Sequence, residues 1–577
     1  MSQGPTLELA ASPLFDHVSE RLTVEERINL SHERAKAIGL SYALTIEDVL
    51  QPSKKFWDMY MDYIVTLDGG AVALFSIQLN LMAGTLAPFA QKRPELRPLL
   101  EDVLAFRVSA QFMLTELGHG LDAANLETTA NLNDDGTFDL HTPNPNAAKY
   151  MPPTLPFGGV PRVAIVIARL VHKGAFKGLR PFLVTLNDGK EMCKGITAKE
   201  LPTRTGSKAI GHALTYFDHV TLPHEALLGP VEHPAVHPRD FFLRTLWRVG
   251  IGSLSLAAMV APGLKMAAYI GATYSLRRTV ESGARRGERV PIISFRTQQL
   301  PILHALAQGF VLEAFFWRAT AWLADAVPVE DNIYLRNAIC TIVKATMIGH
   351  WRRTGITIVD RCGAQGMFDH NQLFPMETEL RGVAIAEGDV LALCLRLAPE
   401  LLLGRYSVHP SQDKTSRLAV HEQKLTAELR GILKLASARG GHRGDLANQL
   451  LLPRSLPYVE AIGHRMASEA ARDAGVPPEL LRLYEAGVVG ADLASYVEFG
   501  LTTRSAHAEE EAAAVSAVYA RLGEFLELSG ARPYARAACV SQEAWDRYVG
   551  TLPVYGGSAE YDWRAGAGSQ SSMKARL

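Results

Sequence analysis

The feature that most constrains the fold is a change of periodicity along the chain: a strand-rich block enclosed by helical ones. From Phe15 to about Ala110 apolar residues recur at helical spacing. Charged helices, over 24–36, precede an apolar one over 57–87 that contains no Pro; Pro88 and Pro94 are then expected to end it. Near Gly118 the texture changes. Strand-like runs at 137–141, 162–172, 180–187 and 214–220 are separated by turn clusters such as Asn133-Asp134-Asp135-Gly136. Helical periodicity returns at Asp240 and persists to about Gly404. The expected architecture is mainly α with a central β-domain: an N-terminal helical domain (1–114), a middle β-domain (115–236), a helical bundle (237–404), a linker (405–416) and a C-terminal helical domain with a tail (417–577). This order is not the strand–helix alternation of a doubly wound sheet, which argues against a Rossmann enzyme.

Composition narrows the function classes. The 577 residues are 47% apolar and 21% charged, a globular composition. Lys and Arg total 59 against 60 Asp and Glu, so nothing electrostatic favours a nucleic-acid partner. The five cysteines, Cys193, Cys340, Cys362, Cys394 and Cys539, form no CxxC pair, which excludes a zinc ribbon and fits a reducing compartment. The first twenty residues lack a basic segment followed by an apolar core, so no secretory signal is expected. The longest apolar stretch, 251–272, carries Pro262 and Lys265 and reads as a buried helix rather than a membrane span. The final Ala575-Arg576-Leu577 is similar to the peroxisomal C-terminal tripeptide and points to an import receptor.

Generic catalytic motifs are missing: there is no phosphate loop, no GxGxxG after a strand, no second His for a zincin site and no GxSxG elbow. No metal site is expected. Two local features remain. In Thr115-Glu116-Leu117-Gly118-His119-Gly120, polar residues beside glycines let backbone approach a flat ligand, although a helix C-cap would read the same way. In Ala386-Glu387-Gly388-Asp389 a carboxylate interrupts an apolar stretch. Burial there would raise its pKa and make it a proton acceptor, unless it is a capping or solvated Glu.

These segments resemble the acyl-CoA oxidase branch of the acyl-CoA dehydrogenase superfamily. Thr115 to Gly120, with Asn125 to Ala130, is similar to the oxidase flavin segment; 138–149 resembles the strand that follows it. Phe295-Arg296-Thr297-Gln298-Gln299 resembles the Phe-x-Thr-Gln-Gln helix start, and Cys362-Gly363-Ala364-Gln365-Gly366 the Cys-Gly-Gly-His-Gly loop. Glu387-Gly388 stands in the place of the family's Tyr-Glu-Gly. The resemblance implies FAD between the β-domain and the bundle, near the interface of a homodimer. Thr115 and Gly120 would lie at the flavin, with Gly158 or Gly159 as a second contact. Arg278 and Gln299 would approach the FAD phosphates, and Gln365 with Gly366 would reach FAD from the partner subunit. Glu387 would be the catalytic base, acyl-CoA the substrate and O2 the electron acceptor. A dehydrogenase or desaturase that passes electrons to another flavoprotein, possibly from a carrier-bound thioester, is the alternative; a helical interaction protein without catalysis is a third. The family's aromatic residue beside the base is Ala386 here, which implies a roomier or differently shaped acyl pocket and a specialised substrate, a branched or aryl acyl-CoA or an intermediate of a secondary pathway, with straight-chain β-oxidation as the alternative. In a eukaryote the resemblance and the terminal tripeptide together imply a peroxisomal enzyme; otherwise the cytoplasm is expected.

Overall fold

A computed structural model describes residues 4–16, 21–232, 237–283, 285–326, 332–441 and 443–561. The terminal tripeptide lies outside the described residues. The N-terminal region is helical. Its helix α1 (Val24–Tyr42) starts with a capping box, in which Thr23 accepts from the Glu26 N–H and the Glu26 side chain accepts from the Thr23 N–H. The apolar run at 57–87 is not one helix. It breaks at Asp62 and at Asp68, each of which caps the element that follows. Asp68 is also buried against Arg34 at 2.8 Å, which with Lys208 holds its carboxyl down at about 2. Pro88 does not end the run: the helix Gly84–Ala90 passes through it, with Leu86 and Ala87 fully buried, so packing outweighs one missing backbone bond.

The β-domain begins at β1 (Ser109–Met113). It continues through β2 (Thr129–Leu132), β3 (Phe138–His141), β4 (Lys149–Met151), β5 (Arg162–His172), β6 (Ala175–Asn187), β7 (Ile196–Glu200), β8 (Ala213–Phe217) and β9 (Val220–Leu222). β5 is the centre of the larger sheet. It pairs in parallel with β1 (Ser109 opposite Arg162) and with β2 (Thr129 opposite Arg169), and antiparallel with β6. Its first seven residues are all buried, which is why it reads as a continuous apolar run rather than an alternation. β4, β8 and β7 form a second sheet.

The bundle follows: α2 (Trp247–Ala258), α3 (Val260–Arg277), α4 (Arg296–Asp325), α5 (Ile333–Arg361), α6 (Leu373–Val383) and α7 (Val390–Leu402). The segments Gly69–Lys92, Trp247–Arg277 and Arg296–Asp325 are long and apolar enough to cross a bilayer, but most of each is buried inside the protein. The 405–416 segment is irregular yet pinned, with Arg465 donating to the His409 carbonyl (3.0 Å) and Ser411 to Glu469 (2.8 Å). The C-terminal helices pack on α4, α5 and α7.

Candidate active site

N-terminal helices, β-domain and bundle meet around a cavity of about 890 Å³. Ile77 lines it from the first region, Thr115 and Tyr150 from the second, and Ser253, Thr341 and Glu387 from the third. Ligand pockets usually span roughly 300–1,000 Å³, so this one lies near the upper end of that range.

Glu387 sits in the short connection between α6 and α7. Its φ is 55° and that of Gly388 is 101°, so two consecutive residues are left-handed. For glutamate this is a strained conformation, and strain of this kind persists only where the surroundings impose it. Here three consecutive carbonyls are held. The Lys344 ammonium, on α5, donates to Ala386 O (2.5 Å) and Gly388 O (2.6 Å), and the Ser253 hydroxyl donates to Glu387 O. Asp389 then caps α7 by accepting from the Ala392 N–H at 3.0 Å. The Glu387 side chain rests against Gly252, where a Cβ would fall on the carboxylate. Its Oε2 is buried with no hydrogen-bond partner. Burial pushes its pKa up to about 8, against the opposing pull of Lys344 and Arg248. Neither a capping nor a solvated role describes it.

Thr115–Gly120 follows strand β1, not a helix, so the C-cap reading is wrong. What shapes the segment is Glu116. Its buried carboxylate accepts from Lys149 (3.0 Å) and from the N–H groups of Glu127 (2.7 Å) and Thr128 (3.0 Å). Burial lowers the Lys149 pKa to about 8. His119 bonds Glu127 at 3.1 Å, a structural partner rather than a cavity residue. Gly118 is packed on Asn146, whereas a Cβ at Gly120 would meet nothing, and Gly120 lines the cavity.

The remaining expected residues do not join this cavity within one chain. Gly158 and Gly159 form a left-handed turn (φ 63° and 68°). Arg278, Gln299, Gln365 and Gly366 gather where α3 ends, α4 starts and α5 ends. Gln298 ties these elements by donating to Ser275 (2.9 Å) and to the Arg361 carbonyl (2.8 Å). Gln299 donates to Ile293 O at 3.0 Å, Gln365 accepts from Asn371, and a Cβ at Gly366 would strike the Val359 carbonyl. Arg278 is exposed. The residues that sequence reading missed are Lys344, Ser253 and Gly252; they are distant in sequence, and only the isolated lysine within an apolar helix signals anything. His141, Asp218 and His219 bring ligand atoms within 4.8 Å of one another on the β-domain, outside the cavity. Their two rings stack at 4.0 Å and His219 is held by Asp139, so the imidazoles lie face to face rather than converging on one point.

No family model matches the chain. Curated relatives include human peroxisomal acyl-coenzyme A oxidase 3 (25% identical over 308 residues, 51% of this chain and 43% of that protein) and Arabidopsis thaliana peroxisomal acyl-coenzyme A oxidase 1 (28% over 308 residues, 50% and 46%). The chain thus spans less than half the length of the curated relatives it matches. Acyl-CoA oxidase 1 from Yarrowia lipolytica superimposes with a TM-score of 0.78 at 16% identity, over 95% of this chain and 91% of that one. Acyl-CoA oxidase-1 from Caenorhabditis elegans, complexed with FAD and ATP, gives 0.71 at 16%, over 95% and 93%. The chain therefore has the acyl-CoA oxidase fold, mainly α with a central β-domain.

Proposed function

We propose that this protein is an FAD-dependent acyl-CoA oxidase with Glu387 as its base. The observation that carries the reading is the buried carboxylate of Glu387 in the cavity wall, with one oxygen unpartnered and its pKa raised by burial. A thioester's α-hydrogens are too weakly acidic for a solvated carboxylate. A desolvated one is a stronger base, poised near neutral pH. The Glu387 N–H has no partner among the described residues, so it is available to donate to the thioester oxygen as negative charge develops there. Donors of this kind contribute about 3–4 kcal/mol. Lys344 and Ser253 keep that N–H and the carboxylate in place by holding the carbonyls around them.

The cavity fits a flavin beside an acyl chain: it is large, and Thr115 and the unencumbered Gly120 form a wall that a flat ring can approach. FAD held there would supply the hydride acceptor for the β-hydrogen and the electron path to O2, with hydrogen peroxide and a trans-2-enoyl-CoA as products. Ala386, beside Glu387 in the cavity wall, stands where the resemblance puts an aromatic residue, and the room this leaves suits a branched or aryl acyl group. Arg278 and Gln365 lie among the exposed Leu276, Phe295, Met367 and Phe368, a face that a second copy of the chain would cover, bringing Arg278, Gln299, Gln365 and Gly366 toward its partner's FAD. The two curated relatives are named peroxisomal, and we extend that compartment to this chain if its source is a eukaryote, and assign it the cytoplasm otherwise.

The test is an anaerobic titration of the flavin-loaded protein with straight-chain, branched and aryl acyl-CoAs, followed by air. Bleaching and rapid return with peroxide supports the oxidase. Bleaching that persists in air selects a dehydrogenase with a separate electron acceptor. A protein that binds no FAD overturns both.

A further inference from the structure

One charged group of the cavity wall has no task in this reaction. Arg396, on α7, lines the same cavity as Glu387. Its Nε is buried and has no hydrogen-bond partner. The charged and titratable groups that act on it are Tyr406, Arg239 and Tyr334, none of them a carboxylate, and burial lowers its pKa. Neighbouring carboxylates are already engaged. Glu400 pairs with Arg239 and accepts from the Tyr406 hydroxyl at 2.6 Å, and Asp240 accepts from the Tyr334 hydroxyl. Asp389, also in the wall, caps α7. An Nε–H withdrawn from water without an acceptor is costly, and a second guanidinium nearby adds repulsion. Phe242 and Leu246, which line the cavity with it, exclude water and strengthen whatever ion pair forms there.

We propose that Arg396 is an oxyanion subsite of this cavity and takes a negatively charged group of the thioester substrate. The proposal rests on the acyl-thioester reading and deepens it. Two parts of such a substrate carry the chemistry: the phosphates of CoA, and a carboxylate at the far end of the acyl chain. Both match the planar, bidentate donor set of arginine.

The test compares wild type with R396M in the full flavin-loaded chain. It reads the half-saturating concentration for anaerobic flavin bleaching by octanoyl-CoA, octanoyl-pantetheine and the ω-carboxylated form of each. R396M is expected to raise that concentration roughly 10- to 100-fold for thioesters bearing the recognised anion, leaving octanoyl-pantetheine unchanged. A loss shared by both CoA thioesters and absent from both pantetheine thioesters identifies the phosphates. A loss that follows the ω-carboxyl group into the pantetheine pair identifies the acyl carboxylate. Equal effects on charged and uncharged thioesters, or none, overturn the subsite. Should R396M fail to fold, R396Q gives the same comparison without the charge. If wild type is bleached by none of the four, the acyl-thioester reading itself fails and takes the subsite with it.

Discussion

Replacing Gly252 by alanine separates catalysis from stability. Gly252 lies inside α2, and a Cβ built there lands on the Glu387 carboxylate. The obstructed atoms are the end of a flexible side chain, so the carboxylate swings aside while the helix stays. In an interior helical position Ala is favoured over Gly by about 1 kcal/mol, and burying the methyl adds about 0.8 kcal/mol. Against this stands an off-rotamer Glu387 at roughly 0.5–1.5 kcal/mol. The terms leave a net of roughly 0.3–1.3 kcal/mol in favour of alanine, so the thermal midpoint should hold or rise by at most a few degrees and flavin should still bind. Catalysis has no such compensation. Displacing a reacting group by about 1 Å costs on the order of 10²-fold, and losing a general base altogether about 10²–10⁴-fold. Stopped-flow bleaching of the flavin by acyl-CoA should therefore slow by a factor of about 10² or more in G252A, with peroxide production falling in step. A G252A protein that keeps more than a tenth of the wild-type bleaching rate would refute the placement of the base. One that loses its fold would refute the ledger.

Four further outcomes are expected. E387Q should retain FAD and bind thioester while losing bleaching by about 10²-fold or more. Because the base acts deprotonated and burial raises Glu387 to about 8, the wild-type bleaching rate should climb with pH through about 8 and level above it; a rate that falls over that range would contradict the assignment. K344M should leave the Ala386 and Gly388 carbonyls without their buried donor, at roughly 1–3 kcal/mol each. It also removes a cation that lowers the Glu387 pKa, so melting should drop and the rising limb of the pH profile should move to higher pH. Finally, His350 and His464 are buried with pKa values well below 6.5, chiefly through desolvation. The folded protein keeps them neutral while the unfolded chain protonates them below 6.5, so their contribution to stability is present above that pH and is lost as pH falls. For two groups the slope is about 2.7 kcal/mol per pH unit. That slope is reached only well below 6.5; between pH 6.5 and 5.5 the unfolded histidines go from half to almost fully protonated, so urea melts should show wild type losing about 2 kcal/mol more than H350Q/H464Q, and equal losses would exclude the mechanism.

Much of the architecture was legible because periodicity and burial are written locally. The strand at Arg162–His172 ends where its apolar run ends, and Glu387 stands out as a carboxylate inside an apolar stretch, although that pattern alone also fitted a capping or solvated Glu. The apolar run at 57–87 shows the limit. Its hydrophobicity announced burial, but the breaks at Asp62 and Asp68 depend on caps, and at Asp68 also on Arg34, a residue far back in the chain. The same limit applies to the site. That Lys344 clamps the carbonyls beside Glu387, that Gly252 makes room for its carboxylate, and that Glu116 rather than a helix end shapes the 115–120 segment are all contacts between residues remote in sequence. Arg278, Gln299, Gln365 and Gly366 are a related case: the motifs singled them out, while the folded chain gathers them away from its own cavity. The sequence by itself determined the helical, β and helical order, since that follows from which side chains water excludes, and it marked Glu387 as a candidate that the resemblance then singled out. Tertiary packing alone decided the left-handed turn at Glu387, the raised pKa of its carboxyl and the unpartnered Nε of Arg396. Each of these is set by which groups are brought together out of water, and no local pattern records that.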